Sequence, residues 1–297
     1  MPTRLFPTLR KFDLERKVFI PMHPKSYLFV PGNRPERFAK ACASGADAVI
    51  LDLEDAVSPA AKGLARDAVC SWLTSGQSAY VRINAEGTEW FDADVAALVN
   101  LPGVLGIVVP KAENALSIAT LSARLSEHCV LLPLLESALG FDNLRAIAHA
   151  PKVQRLIFGT LDFQVDTGIR GDGEELLYFR SQLTLVSRVA GIAAPVDGVT
   201  ASIDDSTLIR TETMRARNLG FRAKLCIHPK QVASVHQAFL PRADEIDWAK
   251  KVLAAVKISD GSATIVDGKM VDVPIILKAK EILTLAHGGD LAGGAAL

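Results

Sequence analysis

Charged and polar side chains follow several short apolar segments of the sequence, at the point where each segment ends. The clearest case is Glu136, which directly follows the uncharged run 130–135. A short apolar run without polar alternation predicts a parallel strand that is covered on both faces. Ligands gather at the carboxyl ends of parallel strands, so this acid is a candidate site residue. The alternative for Glu136 alone is a carboxylate favoured by the dipole of the following helix.

A second acid, Asp162, follows the next predicted strand, 155–158. Two carboxylates on adjacent strand ends, without His or Cys in the pattern, are the hard oxygen ligands that Mg²⁺ uses. A cation held in this way keeps open positions, where it can bind a 2-oxo or 2-hydroxy acid and act as a Lewis acid. The competing interpretation is the acid/base pair of a glycosidase. It is less favoured, because only 6% of the residues are aromatic and sugar sites usually carry more.

Basic side chains occupy comparable positions. Arg82 belongs to the third predicted strand, and its planar fork suits a carboxylate or a developing enolate oxygen. A structural ion pair with an acid of the segment 52–55 is an alternative that does not exclude this role. Lys111 follows the fourth strand and His228 the eighth, and each alone also fits a solvated loop or a turn. Together, these acids and bases indicate a site, because an inert barrel end has no reason to collect them.

The elements that must position these residues are repeated βα units. From Ser26 onward, short apolar runs alternate with helical patterns. The predicted strands are 27–30, 48–52, 79–83, 106–109, 130–135, 155–158, 197–199 and 224–227. Eight such units predict a closed (β/α)8 TIM barrel. A doubly wound open sheet is the alternative, but no Gly-rich phosphate fingerprint follows the first strand.

The chain is predicted to divide into a barrel with a short N-terminal extension, 1–240, and a small C-terminal extension, 241–297. The extension contains helical patterns and a hairpin, for which Asp267-Gly268 is the turn signal. It is too short to be expected to bury a core of its own. It should therefore pack on the barrel or on a neighbouring subunit.

The composition narrows the class of protein. The net charge is zero and 22% of the residues are charged, which gives no indication of a nucleic-acid partner or a basic membrane contact. The four cysteines are widely spaced and lack metal-binding spacing, as expected of free thiols in a reducing compartment. No signal-peptide core or apolar run of ~20 residues is present. A cytoplasmic protein is expected.

The motifs around these residues resemble the citrate lyase beta subunit-like family of HpcH/HpaI aldolases and citrate lyases. This family also contains malyl-CoA and citramalyl-CoA lyases. The matching stretches run in family order: 26–32, 52–57 followed by Lys62 and 65–66, 81–84, 110–111, 136–138, 159–162, 220–221, 224–229 and 267–272. The match therefore extends over most of the chain.

The resemblance implies a (β/α)8 barrel in which Glu136 and Asp162 bind Mg²⁺ and Arg82 holds the thioester or enolate oxygen. It also implies that the Asp272 segment closes over the site of an adjacent subunit, where Asp272 handles the proton at the acetyl carbon. Lys25 and Lys111 are further candidates for substrate binding. The family implies a homotrimer or hexamer.

The expected activity is reversible carbon–carbon cleavage of a carboxylated 3-hydroxyacyl thioester of the malyl-, citramalyl- or citryl-CoA type. The products are an oxo-acid and an acyl thioester, carried by CoA or by an acyl-carrier protein. Two alternatives remain open: an acyl-CoA thioesterase that uses the same metal site, and a non-catalytic subunit.

Overall fold

A computed structural model describes residues 23–258 and 264–292 of the chain. The chain divides into two compact units. One comprises residues 23–239, and the other contains the described residues from 240 onward.

The first unit is built on a closed barrel of eight parallel strands in sequence order, so the predicted TIM barrel is confirmed. The strands are β1 (Ser26–Pro31), β2 (Ala48–Asp52), β3 (Ala79–Arg82), β4 (Val104–Val109), β5 (Val130–Leu135), β6 (Arg155–Phe158), β7 (Ala193–Asp197) and β8 (Ala223–Cys226). Parallel pairing runs around the barrel, with register shifts between β3 and β4 and between β6 and β7, and closes where β1 pairs with β8. All carboxyl ends consequently lie on one face.

Helices follow the strands around the outside of the barrel. They are α1 (Phe38–Cys42), α2 (Lys62–Thr74), α3 (Phe91–Leu98), α4 (Ala115–Arg124), α5 (Ala138–Asp142), α6 (Leu144–Ala148), α7 (Thr160–Thr167), α8 (Leu177–Ala190), α9 (Ser206–Asn218) and α10 (Val232–Phe239). Among the described residues, no helix is long and apolar enough to cross a membrane.

The strands are apolar on both faces because each face packs against a different core. In β2, Ile50 points into the barrel interior, while Val49 and Leu51 pack outward against the helices. Successive side chains of a strand alternate between its two faces. This two-sided burial is the physical reason for the uninterrupted apolar runs in the sequence.

The seventh strand differs from its prediction. It occupies Ala193–Asp197, whereas the sequence predicted 197–199. Ala193 and Ala194 are only partly buried, and Pro195 cannot donate a ladder hydrogen bond. The local sequence of β7 is therefore a poor strand signal, and pairing with β6 and β8 decides its position.

The second unit contains α11 (Ala243–Ile258), the hairpin strands β9 (Thr264–Val266) and β10 (Lys269–Val271), and α12 (Val273–Ala292). The predicted hairpin turn is present, with positive φ at both Asp267 (49°) and Gly268 (74°). Contrary to expectation, this unit buries a small apolar cluster of its own. The cluster contains Ala249, Val252, Val271, Ile276, Ala279 and Ile282.

Candidate active site

A cavity of about 340 Å³ opens at the carboxyl ends of the barrel strands. Its lining includes three predicted site residues, Arg82, Glu136 and Asp162. Apolar side chains from the strand ends complete much of the wall, namely Phe29, Leu134, Phe158, Val199, Leu225 and Ile227. Charged groups thus face one another across a largely apolar space.

Glu136 follows β5 directly and is only 4% exposed. Its Oε1 accepts a hydrogen bond from the backbone N–H of Lys111 at 2.7 Å. Lys111 has a φ of 47°, an uncommon conformation for a residue with a side chain. Burial raises the pKa of Glu136 to about 8; the Lys111 N–H opposes this shift, while the charges of Asp162 and Glu54 add to it. At neutral pH the protonated form of this carboxyl group is therefore favoured unless a cation binds to it.

Asp162 reaches the cavity from the first turn of α7, which begins directly after β6 and Gly159. A Cβ atom at Gly159 would lie 2.6 Å from Cβ and 2.8 Å from Oε2 of Glu136. Only glycine therefore permits α7 to begin this close to Glu136. The structure thus brings both predicted acids to the same cavity.

Arg82 ends β3 and is surrounded by acids. Its Nε and Nη2 donate to the two oxygens of Asp52 at 2.7 and 2.6 Å. Its Nη1 lies 2.9 Å from Glu54 Oε2 and 3.4 Å from Asp55 Oδ2. The structural ion pair considered from the sequence is therefore present. Because Asp52 occupies one edge of the guanidinium, the orientation of Arg82 in the cavity is fixed.

Glu54 is a buried acid that the sequence indicated only as part of a cluster. Its Oε2 is fully buried and accepts no hydrogen bond of good geometry, despite the nearby Arg82. Burial raises the pKa of Glu54 to about 7; Arg82 lowers it, and Asp55 and Asp52 raise it. Glu54 is thus a second carboxyl beside the cavity that changes its protonation near neutral pH.

Lys62, at the start of α2, was not identified as a site residue from the sequence. Its Nζ donates to the backbone carbonyls of Leu53 and Glu54 at 2.8 and 2.7 Å. It is 6% exposed. Lys62 therefore holds the loop after β2, which carries the acids around Arg82. Its place in the matching motif was the available signal, but its contact with two carbonyls depends on the folded loop.

Other predicted residues lie elsewhere. Lys111 contributes its backbone N–H to Glu136, while the residue itself is exposed and is not part of the cavity lining. Lys25 precedes β1 and so lies at the amino end of that strand, where its backbone N–H bonds Asp47. The structure does not bring Lys25 to the cavity, because the cavity is at the opposite ends of the strands.

His228 and Asp272 both have local capping contacts. His228 Nδ1 accepts the backbone N–H of Lys230 at 3.2 Å, which is the ordinary turn role considered from the sequence. Asp272 belongs to the second unit, where its Oδ1 accepts the N–H of Ile275 at 3.2 Å at the start of α12. Asp272 is exposed.

The donor set suits a divalent cation with an open coordination sphere. Glu136 and Asp162 provide hard oxygen donors, and among the described residues no hydrogen bond is made to Glu136 Oε2. In the part of the chain that the structure describes, no group of three or more His, Cys, Asp or Glu side chains is arranged around a metal position. A cation here would take most of its ligands from water or substrate, as Mg²⁺ usually does.

A TIM barrel with carboxylates and an arginine at the carboxyl ends of its strands has the architecture of a barrel enzyme. The model of the HpcH/HpaI aldolase/citrate lyase family matches residues 25–229, more than half of the chain. The chain therefore belongs to the HpcH/HpaI aldolase/citrate lyase family. The resemblance seen in the sequence is confirmed.

Known relatives match almost the whole chain. A citrate lyase subunit beta-like protein of Deinococcus radiodurans is 36% identical over 277 residues, which cover 88% of this chain and 96% of that protein. A (3S)-malyl-CoA thioesterase of Cereibacter sphaeroides is 32% identical over 275 residues, covering 89% and 95% respectively. The crystal structure of CitE from Mycobacterium tuberculosis with magnesium, acetoacetate and coenzyme A matches with a TM-score of 0.80 at 34% identity. That match covers 89% of this chain and 98% of CitE.

Proposed function

We propose that this protein is a Mg²⁺-dependent carbon–carbon lyase that cleaves or forms a carboxylated 3-hydroxyacyl thioester of the malyl-, citramalyl- or citryl-CoA type. The observation that carries the proposal is the convergence of Glu136, Asp162 and the oriented Arg82 on one cavity. Family membership and the magnesium and coenzyme A bound to CitE support it. The partners are then small molecules, a thioester and an oxo-acid, in the cytoplasm.

In this proposal Glu136 and Asp162 would hold the cation, which would act as a Lewis acid on the oxo-acid half. The Lys111 N–H bonds Glu136 Oε1 and so orients this carboxyl group in the cavity. Cleavage breaks the bond between the hydroxyl-bearing carbon and the carbon next to the thioester carbonyl. The hydroxyl loses its proton and becomes an oxo group, while the electron pair of the broken bond passes to the thioester as an enolate. The enolate then takes up a proton to give the acyl thioester.

Arg82 is the residue proposed to stabilise the enolate oxygen. Asp52 takes Nε and one N–H of Nη2, and Glu54 and Asp55 lie against Nη1, so the second N–H of Nη2 is the donor proposed for the substrate. A preorganised donor of this kind contributes about 3 kcal/mol to transition-state stabilisation. Its two bonds to Asp52 orient the guanidinium before the enolate forms.

We further propose that Asp272 moves the proton at the acyl carbon in the site of an adjacent subunit, within a homotrimer or hexamer. Asp272 directly follows the hairpin, on which Ile265 and Met270 form a cross-strand pair. These two side chains are 71% and 72% exposed. An exposed apolar pair next to the proposed catalytic acid suits a surface that a neighbouring subunit covers.

The test is a panel of malyl-, citramalyl- and citryl-CoA, assayed for oxo-acid and for free thiol with Mg²⁺ and with EDTA. A lyase releases oxo-acid without free thiol, and only with the cation. Glu136→Gln should abolish the reaction, whereas the exposed Glu127→Gln should not change it. Metal-independent activity, or full activity of Glu136→Gln, would contradict the proposal.

The same assay distinguishes the alternatives. A thioesterase, which the Cereibacter sphaeroides relative favours, would release free CoA without an oxo-acid. A non-catalytic subunit would give neither product with any thioester, and Glu136→Gln would leave its partner binding unchanged. Replacing CoA with an acyl-carrier protein in the panel determines the carrier.

A further inference from the structure

Asp166 bonds the chain segment that carries the other proposed cation ligand. Its Oδ2 accepts a hydrogen bond from the backbone N–H of Ala138 at 2.7 Å. Ala138 is the first residue of α5 and comes two residues after Glu136. Asp166 itself lies in α7, four residues after Asp162. The bond therefore joins the two segments that carry Glu136 and Asp162.

The bond from Ala138 to Asp166 adds to the apolar contacts that attach α7 to the barrel. Of the residues in this short helix, Thr160 and Phe163 are buried. The ring of Phe163 packs among aromatic neighbours, with centroids 4.7 Å from Phe141 and 4.5 Å from Phe179. Gln164 adds a polar attachment through its hydrogen bond to the carbonyl of Gly171. The bond to Asp166 attaches the last turn of α7 to α5 as well.

Asp162 and Asp166 share one face of α7, because residues four apart on a helix lie one above the other. The bond from Asp166 to Ala138 therefore fixes the direction in which that face points. At the other end of the same helix, Gly159 packs directly against the Glu136 side chain. With both ends of α7 tied to the Glu136 segment, the relative positions of the two carboxylates are set.

We propose that Asp166 is a positioning residue for the divalent-cation site, which sets the separation and direction of Glu136 and Asp162 through its bond to Ala138. This inference rests on the proposed function for the identity of the two ligands. Asp166 does not bind the cation in this account. Groups that orient metal ligands typically change metal affinity 10- to 100-fold when removed.

Three variants separate the effect of the hydrogen bond to Ala138 from the effect of the negative charge of Asp166. Asp166→Ala removes the acceptor, and Asp166→Asn removes the charge but keeps an acceptor oxygen. Asp142→Asn is the matched control, because this exposed acid at the end of α5 provides a nearby charge without the bond to Ala138. Mn²⁺ binding to the full-length protein is measured by isothermal titration calorimetry, and the Tm is measured in EDTA.

Asp166→Ala should weaken Mn²⁺ binding about tenfold or more, with a Tm in EDTA close to that of the wild type. Asp166→Asn should restore most of the affinity, and Asp142→Asn should bind like the wild type. Wild-type affinity in Asp166→Ala would overturn the positioning role. Equal losses in Asp166→Asn and Asp142→Asn would also overturn it, because the effect would then follow charge alone.

The failure of the proposed function has a different signature. If the wild type binds no Mn²⁺, or if Glu136→Gln binds it equally well, the proposed ligands are wrong and the role of Asp166 fails with them. If Glu136→Gln loses Mn²⁺ while Asp166→Ala retains it, only the positioning role is overturned.

Discussion

Glu136 is held in surroundings that favour its neutral form. It is buried, and Asp162 and Glu54 add negative charge around it, so its pKa rises to about 8. Glu54, beside Arg82, has a pKa raised by burial to about 7. Two carboxyls at one site thus change protonation near neutral pH. Positive charge, supplied by protons or by a divalent cation, therefore stabilises these two carboxyl groups.

Cation affinity should therefore depend on pH. Because the pKa of Glu136 is raised, the carboxyl is protonated below about pH 8, and a cation must displace that proton. The Mg²⁺ affinity should rise about tenfold per pH unit between about pH 6 and pH 8 and level off above, as metal ligands must be deprotonated. Calorimetric titrations across this range provide the measurement. An affinity that is independent of pH over the same range would mean that Glu136 is not a ligand.

The positions of the site residues relative to the barrel strands explain which of them the sequence could predict. Glu136 and Arg82 end or follow apolar strands, and Asp162 follows one by a few residues, so all three reach one face of the barrel. Chain direction also explains why Lys25 lies elsewhere, because a residue before a parallel strand lies at its amino end. Contacts such as Lys62 to two carbonyls arise from the folded loop and have no local sequence signal.

Most barrel strands could be predicted because burial on both faces gives them continuous apolar runs in the sequence. The run Val130–Leu135 was predicted with the bounds that the structure shows, because it faces the barrel interior and the helices at once. The partly exposed β7 was misplaced for the opposite reason, since two alanines and a proline give little apolar signal. The bond between α5 and α7 was also not predictable, as it joins residues 28 positions apart.

At the scale of the whole molecule, the first unit contains the cavity, and the second carries Asp272 and the exposed hairpin pair. The assignment of this second unit to a neighbouring subunit stays a prediction from the family resemblance. If a neighbouring subunit covers Ile265 and Met270, replacing them with charged residues must disrupt the oligomer.

The double variant Ile265→Lys/Met270→Lys should dissociate the oligomer and reduce lyase activity, because it places charge in an apolar contact. Size-exclusion chromatography with light scattering measures the mass, which should fall from that of a trimer or hexamer. Leu64→Lys is the matched control, since Leu64 is 72% exposed on α2 in the first unit. An unchanged mass and activity in the double variant would show that the hairpin is not an interface.

The proposed function depends on one divalent cation that Glu136 and Asp162 share. Anomalous diffraction from crystals of the protein grown with Mn²⁺ would locate this cation. We expect one anomalous peak in the barrel cavity, coordinated by a carboxylate oxygen of each acid, and no such peak in Glu136→Gln crystals. A peak that contacts neither carboxylate, or a peak that persists in the variant, would show that the two acids do not share a cation.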